Sequence, residues 1–202
     1  SHIKDSPSRL TRGAVERIQG YFTEPDYQSV DNATELLAKQ RFENRGFDQW
    51  LSHNVDTHKK PGYAIVTLTM KETGTPPGDV TDRQLEQIAD LADEFSFGEV
   101  RVTHQQNVVL ADVRQDRLLE LWQAIVPMGF GTANLNTLTD VICCPGGDFC
   151  ALANAKSIPV AEAIQRRFDD LDYLYDLGNI DLNISGCMNA CGHHHVGNIG
   201  VL

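Results

Sequence analysis

Four cysteines in two pairs are the residues of this sequence whose type and spacing could do chemistry. Cys144 and Cys150 are spaced C-x5-C, Cys187 and Cys191 are spaced C-x3-C, and glycines stand beside each pair. Thiolates that converge on one point can hold an iron–sulfur cube or a zinc ion. Glycine lets the backbone come close enough for N–H groups to donate to such a group. The spacing therefore predicts a metal or cluster site built from two loops.

Spacing alone leaves the identity of that group open. An iron–sulfur cluster is favoured, because zinc sites usually use tighter C-x2-C or C-x4-C pairs. Structural zinc stays an alternative, since the run His193–His195 lies within reach of Cys191. Cys143 is interpreted as an ordinary buried thiol. In the histidine run we expect one or two rings to pack against the turn and the rest to be partly exposed.

Composition narrows the function classes. The chain has 202 residues and a formal net charge of −11, so phosphate backbones and anionic lipid surfaces are poor partners. We therefore expect no nucleic acid and no membrane partner. No apolar run is long enough for a membrane span, and residues 1–7 lack the apolar stretch of a signal peptide. Five cysteines without a disulfide pattern favour a cytoplasmic protein with metal or redox chemistry.

The elements that position the cysteines are predicted in three parts of an α+β chain. Residues 1–57 form a helical N-terminal segment, with helix starts at Asp31–Ala33 and near Phe47. Residues 58–136 read β-α-β-β-α, with a last short strand expected after Gly131, which is the ferredoxin-like βαββαβ plan. Residues 137–202 begin a mixed α/β domain. There we expect helices over 151–154 and 159–168, a strand over 180–184, and each cysteine pair at a strand-to-helix turn.

These residues resemble a known family. The segments Cys144–Cys150 and Ser185–Gly192 resemble the cluster signature of sulfite and nitrite reductases that carry sirohaem and a [4Fe–4S] cluster. The motif Arg101-x-Thr103-x-x-Gln106-Asn107 resembles the family's strand and turn beside the sirohaem. The resemblance covers about residues 58–202 and implies an oxidoreductase. Met188 departs from the pattern, since many members carry proline there.

The resemblance also implies roles for the four paired cysteines. Cys144, Cys150 and Cys187 would bind three irons of the cluster. Cys191 would bind the fourth iron and bridge the cluster to the sirohaem iron, which makes it the residue nearest to catalysis. This coupling suits the delivery of six electrons, one at a time, to one small ligand.

Five further residues are implied to lie around the sirohaem. Arg101 would contact its carboxylates, Thr103, Gln106 and Asn107 would lie near the macrocycle edge, and Asn189 would set the turn between two ligands and hydrogen-bond the cofactor. Judged from residue type alone, Arg101 could instead be a solvated strand residue. Gln106 and Asn107 could instead be ordinary turn residues.

The function implied is reduction of sulfite to sulfide, with nitrite reduction to ammonia as the alternative. The electron donor would be a ferredoxin or a flavoprotein. Because family members contain two half-domains, the chain is expected to correspond to a C-terminal half that is inactive alone. Whether it retains either cofactor is left open. A cluster protein that only transfers electrons and a zinc-binding module are the competing hypotheses.

Overall fold

The computed structural model describes residues 9–202. The prediction about residues 1–7 lies outside this range. The α-helices are α1 Arg12–Gln19, α2 Ala33–Glu43, α3 Arg45–Asn54, α4 Asp82–Phe95, α5 Leu118–Ile125, α6 Ile158–Arg167 and α7 Leu171–Leu177. The strands are β1 Val55–Thr57, β2 Tyr63–Leu68, β3 Arg101–Val102, β4 Val108–Arg114, β5 Ile142–Cys143, β6 Leu182–Ile184 and β7 Ile199–Val201. No helix in this range is both long and apolar enough to cross a membrane.

The N-terminal helices contribute side chains to the larger hydrophobic core. α2 begins at Ala33, as predicted, but Asn32 adopts a left-handed φ of 61° and its side chain makes no capping bond. In α3, Phe47 and Trp50 are fully buried and belong to the same apolar cluster as the first sheet. The packed unit therefore starts before residue 58, the boundary expected from the sequence.

The first sheet is antiparallel with the strand order β1-β2-β4-β3. β2, β4 and β3 have the arrangement of the first three strands in the ferredoxin-like plan, so the α+β class is confirmed. The prediction of a last strand after Gly131 is wrong, because no strand lies between α5 and β5. Its edge position is taken by β1, which pairs with β2 from Val55↔Val66 to Thr57↔Ala64. The chain after α5 reaches the end of β2 through two single bonds: the Thr69 N–H donates to the Phe130 carbonyl, and the Thr69 hydroxyl donates to the Thr132 carbonyl.

The helix α4 forms as its sequence dictates. The Thr81 hydroxyl accepts from the Gln84 N–H at 3.2 Å, and Gln84 Oε1 accepts from the Thr81 N–H at 2.9 Å, which completes a capping box. Ile88, Leu91, Ala92 and Phe95 are buried against the sheet. Leu85 is exposed, although its spacing places it on the same helical face as these four residues.

The second sheet is parallel, with the order β5-β6-β7, and it carries a smaller core of its own. The helix predicted over 159–168 is present as α6. The helix predicted over 151–154 is wrong, because turns replace it after a short 3₁₀ helix at Gly146–Asp148. The sequence did not predict α7, which packs on α3. There Tyr175 stacks on His53 with 4.3 Å between ring centroids and donates to the Ala133 carbonyl at 2.8 Å.

A buried ion pair joins the two sheets. The ammonium of Lys71, which lies three residues after β2, is 3.3 Å from Asp140 Oδ1, and both side chains are 2% exposed or less. Asn107 Nδ2 donates to the same carboxylate oxygen at 2.9 Å, and the Asn136 N–H donates to the other oxygen at 3.0 Å. The Gln105 carbonyl accepts a further bond from the ammonium. This network, defined by Lys71, Asn107 and Asp140, is called the junction below.

Replacement of Asp140 by alanine is expected to lower the free energy of unfolding by about 3–5 kcal/mol, because it leaves a buried ammonium without a counter-charge. Denaturant unfolding measures this loss. Glu162→Ala is the matched control, since it breaks the surface pair with Arg166 and should cost less than about 1 kcal/mol. Equal losses in both variants would contradict a structural role for the junction.

The junction also predicts a pH dependence. Burial lowers the pKa of Lys71 from its ordinary 10.5, and Asp140 opposes this shift. In Asp140→Asn the opposition is lost, so the folded-state pKa falls further. Between that lowered folded-state pKa and 10.5 the unfolded state binds more protons than the folded state, so stability rises with pH over this window. The stability deficit of Asp140→Asn should therefore shrink as pH rises towards 10.5. The double variant with Lys71→Met should show no such recovery.

Candidate functional site

The two cysteine pairs lie in loops that leave adjacent parallel strands. β5 and β6 pair at Ile142↔Asn183 and Cys143↔Ile184, and the Cys144 N–H donates to the Ile184 carbonyl at 2.9 Å. Cys144 directly follows β5, and Cys187 follows β6 by three residues. Because parallel strands end at the same edge of a sheet, both loops begin side by side.

Glycines set how closely the two loops approach. A Cβ added to Gly186 would lie 2.9 Å from the Gly146 Cα, the Ala155 carbonyl and the Ser157 hydroxyl. The Asn154 and Ala155 N–H groups both donate to the Gly186 carbonyl, at 2.8 and 3.1 Å. The first loop therefore wraps around Gly186, and a side chain at that position would push the loops apart.

The cysteines differ in exposure. Cys144 and Cys187 are buried, Cys150 is half-buried and Cys191 is exposed, and all are free thiols. The Gly146 N–H donates to Cys144 Sγ at 3.3 Å, which is the kind of bond that stabilises a ligand thiolate. Within residues 9–202, no three His, Cys, Asp or Glu side chains gather as the ligands of one metal ion would. The thiolates of a cube bind different irons, so they need not converge as tightly.

The second pair occupies a turn without a following helix. Ala190 has a left-handed φ of 55°, its N–H donates to the Cys187 carbonyl at 3.1 Å, and its carbonyl accepts from the His193 N–H at 2.8 Å. The Gly192 N–H donates to the Ser185 hydroxyl at 3.2 Å. The expectation of a strand-to-helix turn is therefore wrong for the second pair. His193 and His195 are exposed and His194 is half-buried, as the sequence suggested.

The residues expected around the sirohaem divide into two groups. Arg101 and Asn189 are exposed, and the Arg101 guanidinium pairs with Glu99, which raises its pKa. Thr103 closes the turn that follows β3, where its N–H donates to the Asn107 carbonyl at 2.9 Å. Asn107 is buried in the junction and donates to Asp140. The roles of these four residues around a sirohaem stay predictions. Of the four, Arg101 and Asn189 have exposed side chains, Thr103 is half-buried and Asn107 is buried.

Gln106 connects the first sheet to the cysteine loops. Its side-chain amide binds the backbone of Cys143, one residue before Cys144. Sequence reasoning placed this side chain at the cofactor and missed both Lys71 and Asp140. A lysine after a β-rich run looks like the charged end of a strand, and its partner stands 69 positions later. No local pattern connects the two.

A comparison with family models matches residues 59–128 to the nitrite/sulfite reductase ferredoxin-like half domain. That range contains β2, α4, β3, β4 and α5, together with the turn from Thr103 to Asn107. It ends before the cysteine loops.

Curated relatives carry names of the same two kinds. The chain is 29% identical to sulfite reductase (ferredoxin) 2 of Mycolicibacterium paratuberculosis, over 61% of this chain and 23% of that protein. It is 30% identical to ferredoxin–nitrite reductase of Synechococcus elongatus, over 73% of this chain and 28% of that protein. A chloroplastic ferredoxin–nitrite reductase of Betula pendula is 25% identical over 92% of the chain and 31% of its own length. The chain thus spans from under a quarter to nearly a third of these relatives.

A solved structure, that of the Mycobacterium tuberculosis NirA protein, supports the fold. It superposes with a TM-score of 0.54 at 24% identity, over 70% of this chain and 25% of that chain. At this identity the likeness concerns architecture and carries no statement about chemistry.

Gly186→Ala is expected to lower the free energy of unfolding by about 1–3 kcal/mol, because the methyl group overlaps backbone of the first loop. It should also speed alkylation of the buried thiols Cys144 and Cys187, which mass spectrometry can follow residue by residue. Gly13→Ala, in α1 with open space around it, is the control and should be neutral or slightly stabilising. Unchanged alkylation rates in Gly186→Ala would contradict the close contact of the loops.

Proposed function

The chain belongs to the nitrite and sulfite reductase family through residues 59–128, and on that premise we propose that it forms the cluster-bearing part of a sirohaem-dependent reductase. The observation that carries this proposal is the pair of loops locked at Gly146 and Gly186, each with two cysteines. Reductases of this family generally carry sirohaem and an iron–sulfur cluster. The donor set, thiolates beside glycine N–H groups, fits such a cluster.

In this proposal Cys144, Cys150 and Cys187 would hold three irons of a [4Fe–4S] cluster, and Cys191 would hold the fourth and link the cluster to sirohaem. The Gly146 N–H bond to Cys144 Sγ supports a thiolate at that position. The exposure of Cys191 supports its assignment as the bridge, because a bridging thiolate must face outward to a second cofactor. When bound, the coupled cofactors supply electrons singly to one small ligand.

In this proposal the exposed residues Arg101 and Asn189 help to bind the sirohaem. Arg101 lies at the first sheet's edge strand with its guanidinium at the surface, where it can turn from Glu99 to a carboxylate of the cofactor. Asn189 lies between two cysteine ligands and can donate to the same group. Thr103 acts through the turn it closes.

For the substrate we propose sulfite, reduced by six electrons to sulfide, with nitrite reduced to ammonia as the alternative. The support is the resemblance of about residues 58–202 to bacterial sulfite reductases, and one relative with that name is 29% identical over 61% of the chain. Relatives named for sulfite and for nitrite have similar identities, 29% and 30%, so either anion suits the family. The names of these relatives, sulfite reductase (ferredoxin) and ferredoxin–nitrite reductase, favour a ferredoxin as electron donor over a flavoprotein. A cytoplasmic location stays a prediction, since several plant relatives are chloroplastic.

Anaerobic loading of the chain with iron and sulfide tests this proposal. We expect about four irons and four labile sulfides per chain, with a broad brown absorption shoulder, as the cluster's composition requires. Cys144→Ser and Cys187→Ser should each lose most of this iron. Cys143→Ser is the matched control, because the neighbouring buried thiol is not a proposed ligand and its loss should leave the iron content unchanged.

Two outcomes would overturn the assignment. Stoichiometric zinc in place of iron, with no visible absorption, would support the zinc-binding alternative. Full iron loading in both Cys144→Ser and Cys187→Ser would show that the iron binds elsewhere. Red-shifted sirohaem bands after addition of that cofactor to the loaded chain would further separate a reductase from a protein that only transfers electrons.

A further inference from the structure

Gln106 binds backbone where the family resemblance expected it to meet a cofactor. Its Oε1 accepts from the Cys143 N–H at 2.9 Å, and its Nε2 donates to the Cys143 carbonyl at 2.8 Å. We propose that Gln106 is a positioning residue: its amide takes the place of a neighbouring strand along β5 and so fixes Cys144, the first proposed cluster ligand. The effect on cluster binding through Cys144 rests on the proposed function. The pairing of Gln106 with the Cys143 backbone does not depend on it.

The position of β5 explains why such a residue is needed. β5 is an edge strand of the parallel sheet, with β6 as its strand partner. The Cys144 N–H points to β6 and bonds Ile184, so the N–H and carbonyl of Cys143 point to the opposite side. Cys143 is buried, and two unpaired backbone groups there would each cost desolvation energy. The planar amide of glutamine offers one acceptor and one donor, as a peptide group of an adjacent strand would.

The turn around Gln106 is built to aim this side chain. Gln106 adopts a left-handed φ of 59°, and its N–H donates to the Thr103 carbonyl at 3.2 Å. Gly78 leaves room for it, since a Cβ there would lie 2.9 Å from the Gln106 Cβ. The next residue, Asn107, donates to Asp140 in the junction. Two consecutive side chains of one turn therefore hold both ends of the segment 140–143, which leads directly into Cys144.

Side-chain length makes the inference testable. Gln106→Asn keeps the amide and suits a left-handed backbone, but it is shorter by one methylene, about 1.5 Å, and cannot reach both groups of Cys143. Gln106→Glu keeps the length and the acceptor for the Cys143 N–H but loses the donor. Gln105→Asn is the matched control, because the neighbouring glutamine side chain makes only a long 3.5 Å contact with exposed Asn136.

The first measurement is amide hydrogen exchange by nuclear magnetic resonance on the chain without cofactor. In Gln106→Asn the Cys143 amide should exchange about three to ten times faster than in wild type. The Leu91 amide, inside α4, is the internal reference, so a general loss of stability would speed both amides alike. Gln106→Glu should keep most of the protection, and Gln105→Asn should keep all of it. Wild-type protection of Cys143 in Gln106→Asn would overturn the proposal.

The second measurement concerns the cluster. After anaerobic loading, iron release to a chelator should be about three to ten times faster in Gln106→Asn than in wild type and Gln105→Asn. Equal release rates would overturn the role in positioning Cys144. Failure of the wild-type chain to take up iron would contradict the proposed function instead, and the exchange of the Cys143 amide would still decide whether Gln106 positions β5.

Discussion

The buried pair of Lys71 and Asp140 is the interaction on which the arrangement of the two sheets depends. An ammonium and a carboxylate taken out of water are tolerated only when each finds partners for its remaining donors and acceptors. The Asn107 side chain and the Asn136 N–H donate hydrogen bonds to the Asp140 carboxylate. The Gln105 carbonyl accepts a hydrogen bond from the Lys71 ammonium. These partners come from different parts of the chain, so the pair is satisfied only when the first sheet and the chain leading to β5 are in register.

The cysteine loops begin only a few residues from this ion pair, so its position also fixes where they start. Asp140 lies two residues before β5, and Gln106 binds the last residue of that strand. β5 in turn aligns β6, so the two cysteine loops start from one edge and meet at Gly146 and Gly186. The half-domain, which has no cysteine of its own, thus acts on the proposed cluster through backbone positions. This gives the turn after β3 a structural task besides any contact with a cofactor.

Local chemistry was predictable from the sequence, and long-range pairing was not. The capping box of Thr81 and Gln84 and the helix α6 follow from patterns within a few residues. The cysteine pairs were recognisable because glycines and thiols stand together in short loops. By contrast, the edge strand of the first sheet was misplaced, since β1 and the chain after Gly131 compete for one position beside β2. The helix expected over 151–154 failed because the first loop turns back around Gly186, a contact that only the folded chain reveals.

The charge of the chain explains why glycine N–H groups matter at this site. A cluster held by four thiolates is anionic, whereas the chain already carries a formal charge of −11. The two lysines associated with the first loop do not supply a free positive charge, because Lys71 is paired with Asp140 and Lys156 with Asp148 at 2.8 Å. At the proposed cluster site backbone dipoles can supply compensation, and the Gly146 N–H already points to Cys144 Sγ. In the proposed site the close packing at the glycines would therefore have an electrostatic role as well as a steric one.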